Sequence, residues 1–267
     1  RTKMIIRNEE IDGGSGFDWG RTSEDYAKYR DVYPEQFYKT LLDMGLCIKG
    51  QRVLDLGTGT GVLPRNMYKY GASFVGTDIS ESQIEMAKSL SEAAEMNIEY
   101  QVASAEAVDY PDDSFDVVTA CTCFFYFNHE VAVPRLARLL RVGGKLVIMY
   151  MAWLPYEDDI ARQSEELILK YNPKWTGAGE TRHPPGIPQI VNEYFNLIKN
   201  ETYELDVPFT RESWNGRMKA CRAIGATLSA DKIAAFEKEH KKLLAVTAPE
   251  SFTVKHYVAY AVLEVKK

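Results

Sequence analysis

Long apolar runs, basic blocks and paired cysteines are all scarce in this sequence, and each scarcity excludes something. No stretch approaches the ~18–20 apolar residues that a membrane span needs, and the opening RTKMIIRNEE lacks the apolar core of a signal peptide. A soluble, cytoplasmic protein with no membrane partner is therefore expected. Lysine and arginine number 32 against 38 aspartates and glutamates, giving a formal charge of −6, and no basic cluster interleaves with aromatics. A nucleic-acid partner is disfavoured, although one cleft can still be locally basic. The four cysteines form no CxxC pair, and the four histidines show no ligand spacing with them, so a reduced compartment and no metal are expected. Cys121 and Cys123 share one strand face, as small core residues do. What the chain does have is 45% hydrophobic content over 267 residues, enough for one large domain or a domain with an inserted cap.

Residues 52–61 read RVLDLGTGTG, and 17 residues past the last glycine comes Asp78 within GTDIS. The apolar run has the length and composition of a strand buried on both faces, and the glycines begin where it would turn into a helix. Gly57, Gly59 and Gly61 leave that turn without side chains, so a ligand can lie against backbone close to the first amides of the helix. Asp78 ends a second strand at the distance where such folds set a carboxylate to accept hydrogen bonds from a ribose. Dinucleotide enzymes favour Gly-x-Gly-x-x-Gly. Here the spacing is Gly-x-Gly-x-Gly, and Asp55 just before it would repel a pyrophosphate but suits an ammonium, directly or through water. A tight strand-to-helix turn is the plain alternative for the glycines alone.

Downstream, strand and helix alternate at βαβ lengths: a helix over 62–70, a strand over 73–77, a helix from Ser80 to about residue 94, then strands over 98–103 and 115–122. A helix over 130–140, a Gly143-Gly144 turn and a strand over 145–153 complete five units. Strands over 201–207 and 254–265 would add an antiparallel edge. The expected fold is a Rossmann-like α/β sheet, mainly parallel and seven-stranded, with helices on both faces and a helical cap over the site. Its expected parts are an N-terminal helical lid (1–50), a core (51–153), a less regular cap (154–200) and C-terminal strands with an inserted helical pair (201–267), the helices covering 211–226 and 230–245.

Several blocks carry a family resemblance: SEDYAKYRDVYP, VLDLGTGTG, GTDISESQIEMAK, SAEAVDYPDDSFDVVTA and LARLLRVGGKLVI. Residues 23–151 resemble the small-molecule class I methyltransferases that depend on S-adenosylmethionine (SAM), often grouped as type 11. A more distant likeness is to the branch that includes trans-aconitate methyltransferases, which has a YAxxRPxYP lead-in and a TAAQAFHWF-like motif after strand four. This chain has TACTCFFYF there, with Thr122, Phe125 and Tyr126 for the branch's Gln, His and Trp, and Asp31 for the proline after Arg30. That disfavours trans-aconitate itself.

The resemblance implies SAM as cofactor, S-adenosylhomocysteine (SAH) as product and a small-molecule acceptor. Gly57, Thr58, Gly59 and Gly61 would line the methionine and ribose, with Asp55 near the amino group and Asp78 on the ribose hydroxyls. Ile79 would pack on adenine with Ser80 and Gln83 nearby. The acid that usually meets the adenine amino group falls on Ser104, so the Ala105 amide and Glu106 would serve instead, and Cys121 would border the cofactor. Tyr26, Tyr29 and Arg30 would close over it, the arginine suiting a carboxylate through paired N–H donors; a surface ion pair is the alternative.

A hydroxyl or ammonium acceptor needs a base, for which His129 and His183 are the candidates, with Glu130 beside the first; a carboxylate acceptor needs none. At helical spacing Trp214, Met218, Cys221 and Gly225 form an apolar stripe with Arg217 and Arg222 at its margins. It reads either as a cap helix with solvated arginines or as an aromatic-walled pocket facing an anionic acceptor. Trp153, Trp175, Phe124 and Tyr126 would supply further walls, and Arg182 lies in a loop with Glu180 and His183. Two other classes stay open on sequence: a nucleotide-cofactor oxidoreductase on the same sheet, and a SAM-binding regulator without turnover.

Overall fold

The structure is a computed structural model that describes residues 5–22, 28–29 and 33–267. Its centre is a seven-stranded sheet of order β3-β2-β1-β4-β5-β7-β6. The strands are β1 (Arg52–Leu56), β2 (Ser73–Asp78), β3 (Glu99–Val102), β4 (Phe115–Cys121), β5 (Leu140–Trp153), β6 (Phe195–Thr210) and β7 (Ser251–Val265). All pairings from β3 to β5 are parallel, and the antiparallel edge lies on the β7–β6 side. Val53, Leu54 and Leu56 are at most 1% exposed, as expected for a strand covered on both faces.

Eight α-helices have bounds among the described residues: α1 (Glu35–Asp43), α2 (Val62–Met67), α3 (Glu81–Ala93), α4 (His129–Leu139), α5 (Asp159–Tyr171), α6 (Gln189–Tyr194), α7 (Arg211–Lys219) and α8 (Ala230–Thr247). Short polar side chains start several of them by accepting backbone N–H bonds: Ser80 for α3, Asp158 for α5 and Ser229 for α8. Thr210 and Ser213 form a reciprocal capping box on α7.

The chain divides into two compact units. The larger comprises Tyr33–Met151, His183–Tyr203 and Val258–Lys267, and holds β1 to β4, α1 to α4 and α6. Its core joins Leu54, Leu56, Val118 and Ala120 on central strands to Leu136, Leu139 and Phe195. The smaller comprises the described residues of 1–32 with Ala152–Arg182 and Glu204–Tyr257. There α5 and α7 both pack on α8 around the buried Trp214, Phe236 and Ile168.

Four expectations need correction. The Gly143-Gly144 turn lies inside β5, where Leu140 pairs with Phe115 and Lys145 with Val117, so residues 141–144 bulge opposite Asp116. Gly143 takes φ +78°, and Arg141 Nε reaches Asp116 Oδ1 at 3.2 Å. The stretch after β5 is more regular than its composition suggests, because it contains the 13-residue α5. β6 begins at Phe195 rather than Glu201. Finally, the helix over 211–226 stops at Lys219, and the chain continues as i→i+3 turns from Met218 to Cys221 and Ile224.

Candidate cofactor and acceptor site

The glycine loop leaves β1 in left-handed conformation: Gly57, Gly59 and Gly61 have φ of +58°, +57° and +76°, a region open to glycine at no steric cost. A Cβ on Gly57 would stand 2.8 Å from Cys123 Sγ, and one on Gly61 would strike the Tyr100 hydroxyl. The loop is tied to β2 twice. Thr58 N–H donates to Thr77 O at 2.8 Å, and Gly59 N–H donates to Asp78 Oδ2 at 2.9 Å. The other Asp78 oxygen accepts Ser80 N–H at 2.9 Å. Burial raises the Asp78 carboxyl, while the Ser80, Gly59 and Ile79 amides pull it back.

Asp55 lies beneath the loop at 2% exposure. Its oxygens accept the Thr58 hydroxyl at 2.7 Å and the Thr119 hydroxyl at 2.6 Å. Burial pushes this carboxyl up to about 7, against those two hydrogen bonds and with help from the Asp78 charge. The Thr60 and Thr77 hydroxyls are buried without a hydrogen-bond partner. From Asp55 to Gly61 the loop carries carboxylate, hydroxyl and amide groups and no cation. That donor set fits an ammonium and a ribose diol and misfits a pyrophosphate. Of the remaining residues expected on the adenine side, Gln83 and Ala105 are buried, Ile79 and Ser104 are half-buried, and Glu106 Oε1 accepts Asn128 N–H at 2.6 Å.

β4 ends in a strained turn. Cys121 is half-buried, and Thr122 takes φ +59°, a conformation costing a β-branched residue about 1–3 kcal/mol. Its N–H donates to Met149 O at 2.7 Å, and its hydroxyl pairs with Tyr33 Oη at 3.2 Å. Cys123 then donates its thiol to Leu56 O at 3.2 Å. Phe124, expected as an acceptor wall, is instead a core residue at 4% exposure, because its ring packs under α4 and stacks on His129. Tyr126 is half-buried, and its neighbour Phe125 is the exposed ring at 45%. His129 donates Nε2–H to Phe124 O at 2.8 Å, which leaves Nδ1 as its basic nitrogen. His183 is exposed, and its Nδ1–H donates to Pro184 O at 2.9 Å.

The other expected acceptor residues belong to the smaller unit. Trp153, Trp175 and Trp214 cluster with Phe209 and His256, Trp153 lying edge-on to Trp214 at 5.6 Å and 6.5 Å from Trp175. Arg217 lies with its guanidinium 5.1 Å over the Trp153 ring. The two remaining arginines are committed elsewhere. Arg182 pairs with Glu157 and Glu204. Arg222 makes a two-pronged bond to the buried Asp12, Nε to Oδ2 at 2.8 Å and Nη2 to Oδ1 at 3.1 Å; a carboxylate 1% exposed demands such a countercharge. Tyr29 lies across α7 at Gly216, where only a glycine leaves room for its ring. Tyr26 and Arg30 lie outside the described residues. Sequence reasoning did not single out Thr119, Tyr100 and Tyr150, which come from other elements and carry no local signal, nor Tyr33, although it stands in the SEDYAKYRDVYP block.

Comparison with known proteins bears on the fold that carries these residues. Residues 54–148 match the family described as methyltransferase domain. A Dictyostelium discoideum protein named as a candidate methyltransferase is 31% identical over 179 residues, 67% of this chain and 64% of that protein. The ubiquinone biosynthesis O-methyltransferase of Coxiella burnetii is 34% identical over 109 residues, 39% of this chain and 45% of that enzyme. The chain thus spans less than two thirds of either relative. A candidate type II methyltransferase from Anaeromyxobacter dehalogenans shares the fold at TM-score 0.55 and 18% identity, over 87% of this chain and 95% of that one. Among the described residues no helix is long and apolar enough to cross a membrane, and no group of three or more His, Cys, Asp or Glu is placed to hold a metal. Residues 54–148 thus match the methyltransferase domain, on a Rossmann-like sheet of the kind seen in solved methyltransferases.

Proposed function

We propose that the protein transfers a methyl group from SAM to a small-molecule acceptor, with an acidic acceptor preferred. The observation that carries this reading is the pairing of a cation-free glycine loop over Asp55 with Asp78 at the end of β2. Asp78 would take the ribose hydroxyls and Asp55 the amino group. The cofactor supplies a methyl on a sulfonium: the acceptor's lone pair forms the new bond to carbon as the carbon–sulfur bond breaks, and the sulfonium becomes a neutral thioether. What the chain must supply is alignment, which is worth on the order of 7 to 11 kcal/mol at best. If the acceptor brings a proton, His129 Nδ1 and His183 are the bases at hand. Within the smaller unit, Arg217, held over Trp153, is the guanidinium whose chemistry suits a carboxylate.

Calorimetry with SAM and NAD tests the cofactor, and methyl-labelled SAM with a small-molecule extract tests turnover. SAM is expected to bind and NAD not to, with a labelled product that disappears in Asp78→Ala. NAD binding as tightly as SAM would overturn the cofactor assignment. SAM binding without any labelled product would favour a regulator.

A further inference from the structure

The turn after β4 carries aromatic surface that the cofactor cradle does not use. Thr122 stands at φ +59° although glycine or asparagine would take that conformation more easily. Its hydroxyl meets that of Tyr33, whose ring is itself fixed by stacking on Phe37 at 4.0 Å and 5°. The turn sends Cys123 inward against the glycine loop and leaves Phe125 outward. Phe125 is 45% exposed, with its ring 4.2 Å from that of Tyr126 and edge-on to Tyr150 on β5 at 6.2 Å and 87°. A cluster of rings at a sheet's carboxyl edge, with hydroxyls at its margin, has the make-up of a small-molecule site: apolar walls and a few placed polar groups.

We propose that Phe125, Tyr126 and Tyr150 form the floor on which the methyl acceptor lies, with the Thr122–Tyr33 hydroxyls at its polar end. The acceptor class is then an aromatic ring bearing a hydroxyl or carboxylate, rather than an aliphatic diacid. This rests on the methyltransferase reading. The floor is continuous with the cradle, because Cys123, next to Thr122, bonds Leu56 O at the first glycine. Ring faces and edges pair with an aromatic guest in offset or T-shaped contacts that an aliphatic chain cannot make. A hydroxyl pair both donates and accepts, and so suits a phenol or a carboxylate.

The test is calorimetry on the SAH-saturated protein with 4-hydroxyphenylacetate and with succinate. The aromatic probe is expected to bind at least tenfold tighter than succinate. Phe125→Ala should remove that preference and Tyr33→Phe should reduce it, both leaving SAH affinity within twofold. Equal or tighter binding of succinate, no binding of either probe, or an unchanged preference in Phe125→Ala would overturn the proposal. Failure of SAH itself to bind would fall on the methyltransferase reading instead.

Discussion

Asp55 concentrates the chemistry of the cradle in one side chain. It is buried, holds the Thr58 and Thr119 hydroxyls, and ionises only near 7. In the unfolded chain the same carboxyl ionises near its ordinary value of about 4. The folded state therefore binds the proton more tightly. Asp55 contributes stability that is fully present below about pH 4 and is lost as pH rises through about 7. An ammonium bound beside it would favour the ionised form and reverse that trend. SAH affinity is accordingly expected to rise about tenfold per pH unit toward pH 7 and to level off above it. In Asp55→Asn the slope should flatten, and since Asp78 is also raised by burial, any remaining slope would belong to it. Titration calorimetry from pH 5.5 to 8 on both proteins decides. A wild-type slope as flat as the variant's would remove Asp55 from the amino end of the cofactor.

At the scale of elements, α5 joins two polar networks in the smaller unit. Trp214 Nε1–H donates to Ser164 Oγ at 2.9 Å, Ser164 pairs with His240 Nε2 at 2.9 Å, and His240 Nδ1 pairs with Asn215 Oδ1 at 3.0 Å. Glu165 accepts Trp153 Nε1–H at 2.9 Å and Gly179 N–H at 2.8 Å. Ser164→Ala strands a buried indole N–H and an imidazole nitrogen, which should cost about 1–3 kcal/mol, or roughly 3–10 °C in melting temperature. Adding His240→Phe should recover part of the loss, because removing both partners costs less than removing one. A Ser164→Ala melt within 1 °C of wild type would show that the network adds nothing. These networks also explain what the sequence concealed. The strands from β1 to β4 were legible within a residue or two, β1, β2 and β4 as short stretches rich in apolar residues and β3 as the alternating EYQV. α5 was not, because its buried stripe carries Ser164 and Glu165 where a periodicity search looks for leucine. The glycine loop was legible because its conformation is set locally, by three glycines at positive φ. Arg222 was misread because its partner, Asp12, lies 210 residues away in the chain.

Across the whole molecule, titratable groups are distributed unevenly between the two units. Buried His240 and His256 both belong to the smaller unit, and burial lowers each to about 4. For His256 the nearby Arg217 charge adds to the effect, partly offset by the bond to Val254 O and by Asp206. An unfolded histidine titrates near 6.5. Each therefore contributes stability present above about pH 6.5 and lost as pH falls toward 4, up to about 3 kcal/mol apiece. Glu165, raised by burial in the same unit, opposes them more weakly. In the larger unit the raised carboxyls of Asp55 and Asp78 favour the acid side. All four tryptophans, Trp19, Trp153, Trp175 and Trp214, lie in the smaller unit, so their fluorescence reports on it selectively. Acidification from pH 7 to 5 should lower the tryptophan-detected melting temperature more than the one followed by far-ultraviolet dichroism. His240→Phe should blunt the difference. β5, β6 and β7 run through both units, so the competing outcome is one cooperative melt with coincident midpoints at every pH. Coincidence would mean that the shared strands couple the units more strongly than the histidines can divide them.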